Sequence, residues 1–272
     1  MAAILLRRMG TQPEGAYGLT TKISVIAVTA VTYAIGKAMT AFVPTPWGIG
    51  QLLIGLFLPA FFALTCDTLS AAVGAGLGTF IGDVIFLTPL GETTPILSIV
   101  AGVPANFVAF LLFGWFVKKY RSWPAFVGAT VSFVTLGNLI AGNDVVLFLK
   151  LPISLIFGFT VFWDTAGIPA VIIGVPVLVR AVRPLFGRTK MLVNYPDWGG
   201  NTTSSHNMLG FVFAALFVVL GVAFFVFAPP ATINTWPGLS LFYAVAAALV
   251  IIFVPLAGIV AGSKLQVKRS AG

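Results

Sequence analysis

Long apolar runs separated by short polar segments dominate the hydrophobic pattern of the chain. A run of roughly 20 apolar residues is long enough to cross a bilayer as a helix. The pattern predicts eight such helices, at about 20–42, 49–65, 68–88, 95–117, 123–146, 152–180, 208–228 and 239–262. The second run is short for a membrane span. The sixth contains Pro169 and Pro176, which predict a kink or a break.

These runs predict an all-α polytopic membrane bundle with a six-helix core followed by a C-terminal two-helix hairpin. The predicted division is an N-terminal segment over 1–19, the membrane core over 20–182, a loop over 183–207, the additional hairpin over 208–262 and a basic tail over 263–272. No convincing internal repeat is evident.

Composition supports the membrane class. Of the 272 residues, 59% are hydrophobic and 8% are charged, whereas soluble domains have about 25% charged residues. The single cysteine, Cys66, rules out a disulfide framework and a cysteine metal cluster. The single histidine, His206, argues against most histidine-based metal sites and nucleophiles, so we expect no metal, no cofactor and no enzymatic activity.

The basic residues predict the orientation of the chain. If both termini are cytoplasmic, thirteen of the fifteen lysines and arginines lie on the cytoplasmic side, and only Lys37 and Lys150 lie towards the outside. This asymmetry is typical of topology determinants rather than of a nucleic-acid surface. We therefore expect a multi-pass cell-membrane protein with both ends inside.

Small residues form two stripes at a spacing of four. Gly74, Gly78 and Gly82 share one face of the third predicted helix, followed by Asp83, and predict close helix packing. Ala30, Ala34 and Ala38 form a similar stripe on the first helix. That stripe is interpreted either as bundle packing or as a surface on which a partner protein docks.

The alanine stripe and the segment "VPTPWGIGQLLIGLFLPAFFALTCDTLSAAVGAGLGTFIGDVI" together resemble the substrate-binding S components of energy-coupling factor (ECF) transporters. The resemblance covers residues 20–185, and the two C-terminal helices depart from it. It implies capture of a vitamin or similar micronutrient from outside, with Ala30, Ala34 and Ala38 docking a transmembrane coupling subunit and with cytoplasmic ATPases supplying the energy. The chain has no phosphate-binding loop of its own.

Polar and tryptophan side chains within or near the spans are the candidate substrate-binding residues, because a polar group in a bilayer needs a partner or water. The candidates are Trp47, Gln51, Asn106, Asn138, Asn143, Asp144, Lys150 and Trp163. Aromatic walls with a few directed hydrogen bonds suit a semi-polar small molecule. Pro44 to Gly50, which carries Trp47, is the predicted cover of this pocket.

Two other classes stay open. A self-sufficient secondary transporter or channel would fit eight helices and a broken sixth helix. An intramembrane aspartyl protease is suggested by Asp83 and Asp164, but its Gly-x-Gly-Asp motif would need glycine where this chain has Phe80.

Overall fold

The computed structural model describes residues 17–186, together with residues 212, 215, 218–223, 226 and 227 of the later part of the chain. The described residues form an all-helical bundle, which confirms the predicted fold class at this level. Most of the loop over 183–207 and of the hairpin over 208–262, together with the tail over 263–272, lies outside them.

Six helical elements follow one another along the described core. They are α1 (Leu19–Ala38), α2 (Phe57–Thr65, preceded by a 3-10 turn over Ile54–Leu56), α3 (Thr68–Gly82), α4 (Val103–Tyr120), α5 (Trp123–Leu149) and α6 (Leu155–Phe186). A π-helical turn over Asp83–Leu87 extends α3, and α4 is preceded by Pro95–Leu97 and a π-helical turn over Ser98–Gly102.

Five of these helices are long and apolar enough to cross a membrane, when α3 and α4 are taken with their π-helical extensions. The short second helix, Ile54–Thr65, is not one of them. The sequence predicted a membrane-spanning helix over 49–65, and the start of this prediction is wrong, because residues 43–52 form a turn and the helical segment begins at Ile54. Thr45 N–H donates to Gly50 O at 3.0 Å and Leu52 N–H donates to Val43 O at 2.9 Å.

The helix boundaries follow local capping chemistry. The Asp67 carboxylate accepts the Ser70 N–H at 2.9 Å at the start of α3, and the Ser122 hydroxyl accepts the Ala125 N–H at 3.2 Å at the start of α5. Such side chains replace the partners that the first amides of a helix lack. Pro169 and Pro176 lie within α6, which runs as one helix through both.

The glycine stripe of α3 lies against α1. A Cβ atom added to Gly74 would lie 2.7 Å from Ile26 O, and one added to Gly78 would lie 2.6 Å from Ala30 O. The residue numbers on both helices rise together, so α1 and α3 run parallel. Close backbone approach of this kind is how membrane helices gain packing energy without a hydrophobic driving force.

A large apolar core fills the half of the bundle that contains the start of α3 and the end of α4. Its fully buried side chains include Phe110, Phe113, Phe126, Ile168 and Ile172. A smaller apolar cluster, which includes Phe159 and Trp163, lies at the opposite end. The basic residues Lys22, Lys118, Lys119, Arg121 and Arg180 belong to the first end, because they lie at the start of α1 and the ends of α4 and α6.

Candidate functional site

A cavity lies between the two apolar clusters. Its walls come from the ends of α1 and α3, the turn over 49–53, the loop over 92–93, the start of α4, the second half of α5 and Trp163 of α6. Its volume of about 80 Å³ exceeds the roughly 10–15 Å³ that one water molecule needs. Several waters or a small organic molecule would therefore fit.

A buried ion pair forms one wall of the cavity. The Lys37 ammonium of α1 lies 2.5 Å from the Asp83 carboxylate of α3, and both side chains are 7% exposed. The second Asp83 oxygen accepts a hydrogen bond from the Ser98 hydroxyl at 2.6 Å. Asp83 lies in the π-helical turn that extends α3 and therefore joins this turn to α1 and to the π-helical turn before α4. The two π-helical turns thus meet at this residue, and π-helical turns are frequent at functional sites.

A second wall is built where the turn after α1 meets the loop after α3. The Gly50 N–H donates to Glu92 O at 2.8 Å, which places Gln51 beside Glu92. The Gln51 amide donates from Nε2 to Lys37 O at 2.7 Å, and this bond directs Oε1 away from that carbonyl. Burial raises the pKa of the Glu92 carboxyl above its usual range, and the Lys37 ammonium opposes that shift.

Aromatic rings form the wall contributed by α6. Trp163 stacks on Phe159 with ring centroids 5.3 Å apart and planes at 19°. Trp47 packs edge-on against Phe159, with ring centroids 5.1 Å apart. A Cβ atom on Gly50 would lie 3.2 Å from Trp163 Cζ2, so the indole is in close contact with the Gly50 backbone.

Asn106 and Asn138 line the cavity but are engaged with the protein. Asn106 Oδ1 accepts from the Tyr33 hydroxyl at 3.0 Å, and its Nδ2 donates to Gly102 O at 2.9 Å. Asn138 Nδ2 donates to Asp164 Oδ1 at 2.8 Å. These hydrogen bonds link α1 to α4 and α5 to α6, so the two asparagines shape the cavity as well as line it.

Four of the eight predicted substrate-binding residues line the cavity: Gln51, Asn106, Asn138 and Trp163. The other four are not in its lining. Trp47 packs on Phe159, Asn143 donates to Asp144 Oδ1 at 3.2 Å, and Lys150 is an exposed residue that ends α5 with a left-handed backbone, φ 55°.

The alanine stripe of α1 is largely buried against α3 and is not an open docking surface. Ala30 and Ala34 are each 4% exposed, because the glycine stripe of α3 covers them. A Cβ atom on Gly82 would lie 3.3 Å from Ala34 Cα. Ala38 is partly exposed at the end of α1. The α1 face assigned to a partner from the sequence is thus largely occupied within the chain.

The two aspartates considered as a protease dyad have separate partners. Asp83 pairs with Lys37 and Ser98. Asp164 accepts from Asn138 and from the Thr135 hydroxyl, both at 2.8 Å. A catalytic dyad shares one proton between two carboxyl groups in contact. Each carboxylate here is instead held by residues of other helices.

Lys37 and Glu92 line the cavity, although the sequence did not single them out as binding residues. Lys37 was placed only towards the outside by the charge pattern. A usable signal did exist for the ion pair, because Lys37 is next to Ala38 and Asp83 is next to Gly82, the last members of the two small-residue stripes. Glu92 has no such signal, since it lies in a short loop.

No family model, curated protein or solved structure matches the chain. The fold itself defines the class: the long apolar helices are those of a multi-pass membrane protein, with a partly polar cavity near one end of the bundle.

Proposed function

We propose that the protein is a membrane-embedded substrate-capture subunit for the ATP-driven import of a vitamin or similar micronutrient. It would work with a separate transmembrane coupling subunit and cytoplasmic ATPases. The observation that carries this proposal is the cavity, which lies at the end of the described bundle that is poor in basic residues. By the positive-inside rule that end faces the outside, where an imported solute is first met.

The packing below the cavity favours capture over free passage. Phe110 and Val134 line the cavity floor and belong to the large apolar core. Within the described residues this core fills the basic half of the bundle. A subunit that only binds its solute needs no path through that half, whereas a channel does.

The resemblance of residues 20–185 to ECF S components supports the same role. Because α3 covers Ala30 and Ala34, a coupling subunit would have to contact another face of α1 or another helix. The outer face of α1 is apolar, with Ile23, Val31 and Ile35 each more than half exposed. Such a face suits lipid or a membrane partner equally.

Affinity purification of the full chain from its native membranes tests this role. We expect a transmembrane subunit and at least one ATPase to copurify, and solute uptake to require ATP. A self-sufficient secondary transporter is the alternative. Uptake into proteoliposomes that contain this chain alone, without ATP, would support that alternative and contradict the proposal.

A further inference from the structure

Three buried polar groups without partners converge on one corner of the cavity. Within the described residues, Gln51 Oε1, Glu92 Oε2 and Trp163 Nε1 have no hydrogen-bond partner. Their side chains are only 1%, 7% and 5% exposed. Leaving a buried donor or acceptor unpaired costs about 1–3 kcal/mol. Three such groups lining one cavity therefore mark a place where a bound molecule, either water or a solute, would complete their hydrogen bonds.

The backbone brings the three groups together at Gly50. Gly50 precedes Gln51, its N–H donates to Glu92 O at 2.8 Å, and its Cα faces the Trp163 indole. The positive φ of 74° favours glycine at this position. Gly50 thus lies next to Gln51, Glu92 and Trp163, the three residues that carry the unpaired groups.

The charges at this corner select the sign of the ligand. Lys37, Asp83 and Glu92 are the charged residues of the described cavity lining. Lys37 is paired with Asp83 at 2.5 Å, and within the described residues no second cation forms an ion pair with Glu92. An anionic ligand would meet two carboxylates and one lysine that is already paired. A cation would instead supply the charge that Glu92 lacks.

The aromatic wall selects the shape of the ligand. The Trp163 indole, stacked on Phe159, lines the same cavity as Gln51 and Glu92. A planar ring can stack on such a surface, and an attached cationic group gains a further attraction from the indole face. A bare metal ion would leave this wall and the Trp163 N–H unused.

We propose that this corner binds a small organic monocation in which a planar ring carries a positively charged group with N–H donors. The N–H groups donate to Glu92 Oε2 and Gln51 Oε1, and the ring lies against Trp163. This inference rests on the proposed function and deepens it by naming the chemical class of the solute. A ring acceptor atom would complete the site by accepting the Trp163 N–H.

The test compares three probes of similar size on the purified full-length chain. Benzylammonium is the cation, benzyl alcohol the neutral probe and benzoate the anion, each titrated by ligand-observed NMR. We expect benzylammonium to bind with a millimolar dissociation constant and at least about tenfold more tightly than either other probe. Glu92→Gln should remove this preference, and Glu92→Asp should retain part of it because the charge remains.

Asp67→Asn is the matched control, because it removes one carboxylate at the opposite end of the bundle and asparagine is an equally good helix cap. It should bind benzylammonium as the unmodified chain does, which also accounts for partition of the probe into detergent. Glu92→Gln that elutes as a folded monodisperse protein but keeps the full preference would overturn the inference.

Equal binding of the three probes, or no benzylammonium binding at about 20 mM, would also overturn it. A purely structural Glu92 would lower the stability of Glu92→Gln without changing the order of the probes. These results would not decide the proposed import role, which is tested by copurification and ATP-dependent uptake. Conversely, if no ATPase copurifies with the chain, the result of the probe measurement still stands.

Discussion

Two buried lysines, Lys118 near the basic end of the bundle and Lys37 near the cavity, are stabilised in different ways. Lys118 Nζ donates to the Cys66 carbonyl and to the Thr68 hydroxyl, the latter at 2.7 Å. Both acceptors are neutral; Cys66 directly follows α2 and Thr68 is the first residue of α3. Lys37 instead forms an ion pair with Asp83 inside the cavity wall.

The two lysines also differ in how completely their surroundings are packed and hydrogen-bonded. Around Lys118 the aromatic core is filled, with Phe113 and Phe126 edge-to-face at 6.0 Å. Around Lys37 the described structure leaves a cavity and buried polar atoms of Gln51, Glu92 and Trp163 without partners. Within the described residues, the Lys118 ammonium has neutral acceptors at the basic end, whereas the cavity end keeps three buried polar atoms without partners.

Breaking the ion pair should produce the largest loss of stability. Lys37→Met leaves the Asp83 carboxylate buried without its cation, which costs about 3–5 kcal/mol of unfolding free energy. The double variant Lys37→Met/Asp83→Asn should lose much less, because no uncompensated charge remains. Chemical unfolding in detergent measures both. Additive losses in the double variant would show that the two residues are not coupled.

Widening the contact between α1 and α3 should have the next largest effect. A Cβ atom at Gly78 would lie 2.6 Å from Ala30 O, so Gly78→Ala must separate the helices and costs about 1–3 kcal/mol. Gly18→Ala is the control, since no atom lies within 4 Å of its added Cβ. Thermal unfolding of the two variants should differ, and equal midpoints would argue against this packing.

Removing Lys118, at the basic end of the bundle, should cost less stability. Lys118→Met loses the hydrogen bonds to Cys66 O and Thr68 Oγ1, for a net cost of about 1–3 kcal/mol. Since the cavity is remote from Lys118, benzylammonium affinity should not change. A large loss of affinity with little loss of stability would show that the two ends are not independent.

Acidification should weaken cation binding without unfolding the protein. Lys37 and Asp83 are the charged groups that share the described cavity with Glu92. Burial raises the pKa of Glu92, so affinity should be full above that pKa and fall as the pH drops through it. The fall should begin above the ordinary glutamate range of about 4.3. The probe titration repeated across pH checks this, and Glu92→Gln should give a flat profile.

Much of the helical core could be predicted from the sequence because each span has its own start and stop signals. The fifth predicted helix, 123–146, is observed as Trp123–Leu149, with Ser122 and Pro124 at its start. The second predicted helix, 49–65, starts too early, because Ile49, Leu52 and Leu53 are apolar yet lie before the observed helix. An apolar run alone does not distinguish a buried turn from a helix.

Pro169 and Pro176 predicted a kink or a break, and the structure shows no break, because α6 is continuous through both. Membrane helices tolerate proline where neighbouring helices support the backbone, and α6 packs closely there. A Cβ atom on Gly174 would lie 2.6 Å from Phe57 Cγ of α2. This support depends on tertiary contacts and leaves no local signal.

The cavity was predictable only in part for the same reason. Gln51 stands out as a polar residue near the start of an apolar run, and Trp163 stands out as a tryptophan in the middle of one. The role of Glu92 depends on the hydrogen bond from Gly50, which joins segments more than 40 residues apart. No pattern of residue spacing in the sequence predicts such a contact.

Capture of a solute from outside requires that the cavity end of the bundle faces the outside of the membrane. Single cysteines at Leu90 and Pro124 test this in a Cys66→Ala background, because both positions are exposed, are uncharged and lie at opposite ends of the bundle. Intact cells would be treated with a membrane-impermeant thiol reagent. We expect labelling of Leu90→Cys and none of Pro124→Cys until the cells are opened. Labelling of Pro124→Cys alone in intact cells would place the cavity end inside and contradict capture from outside.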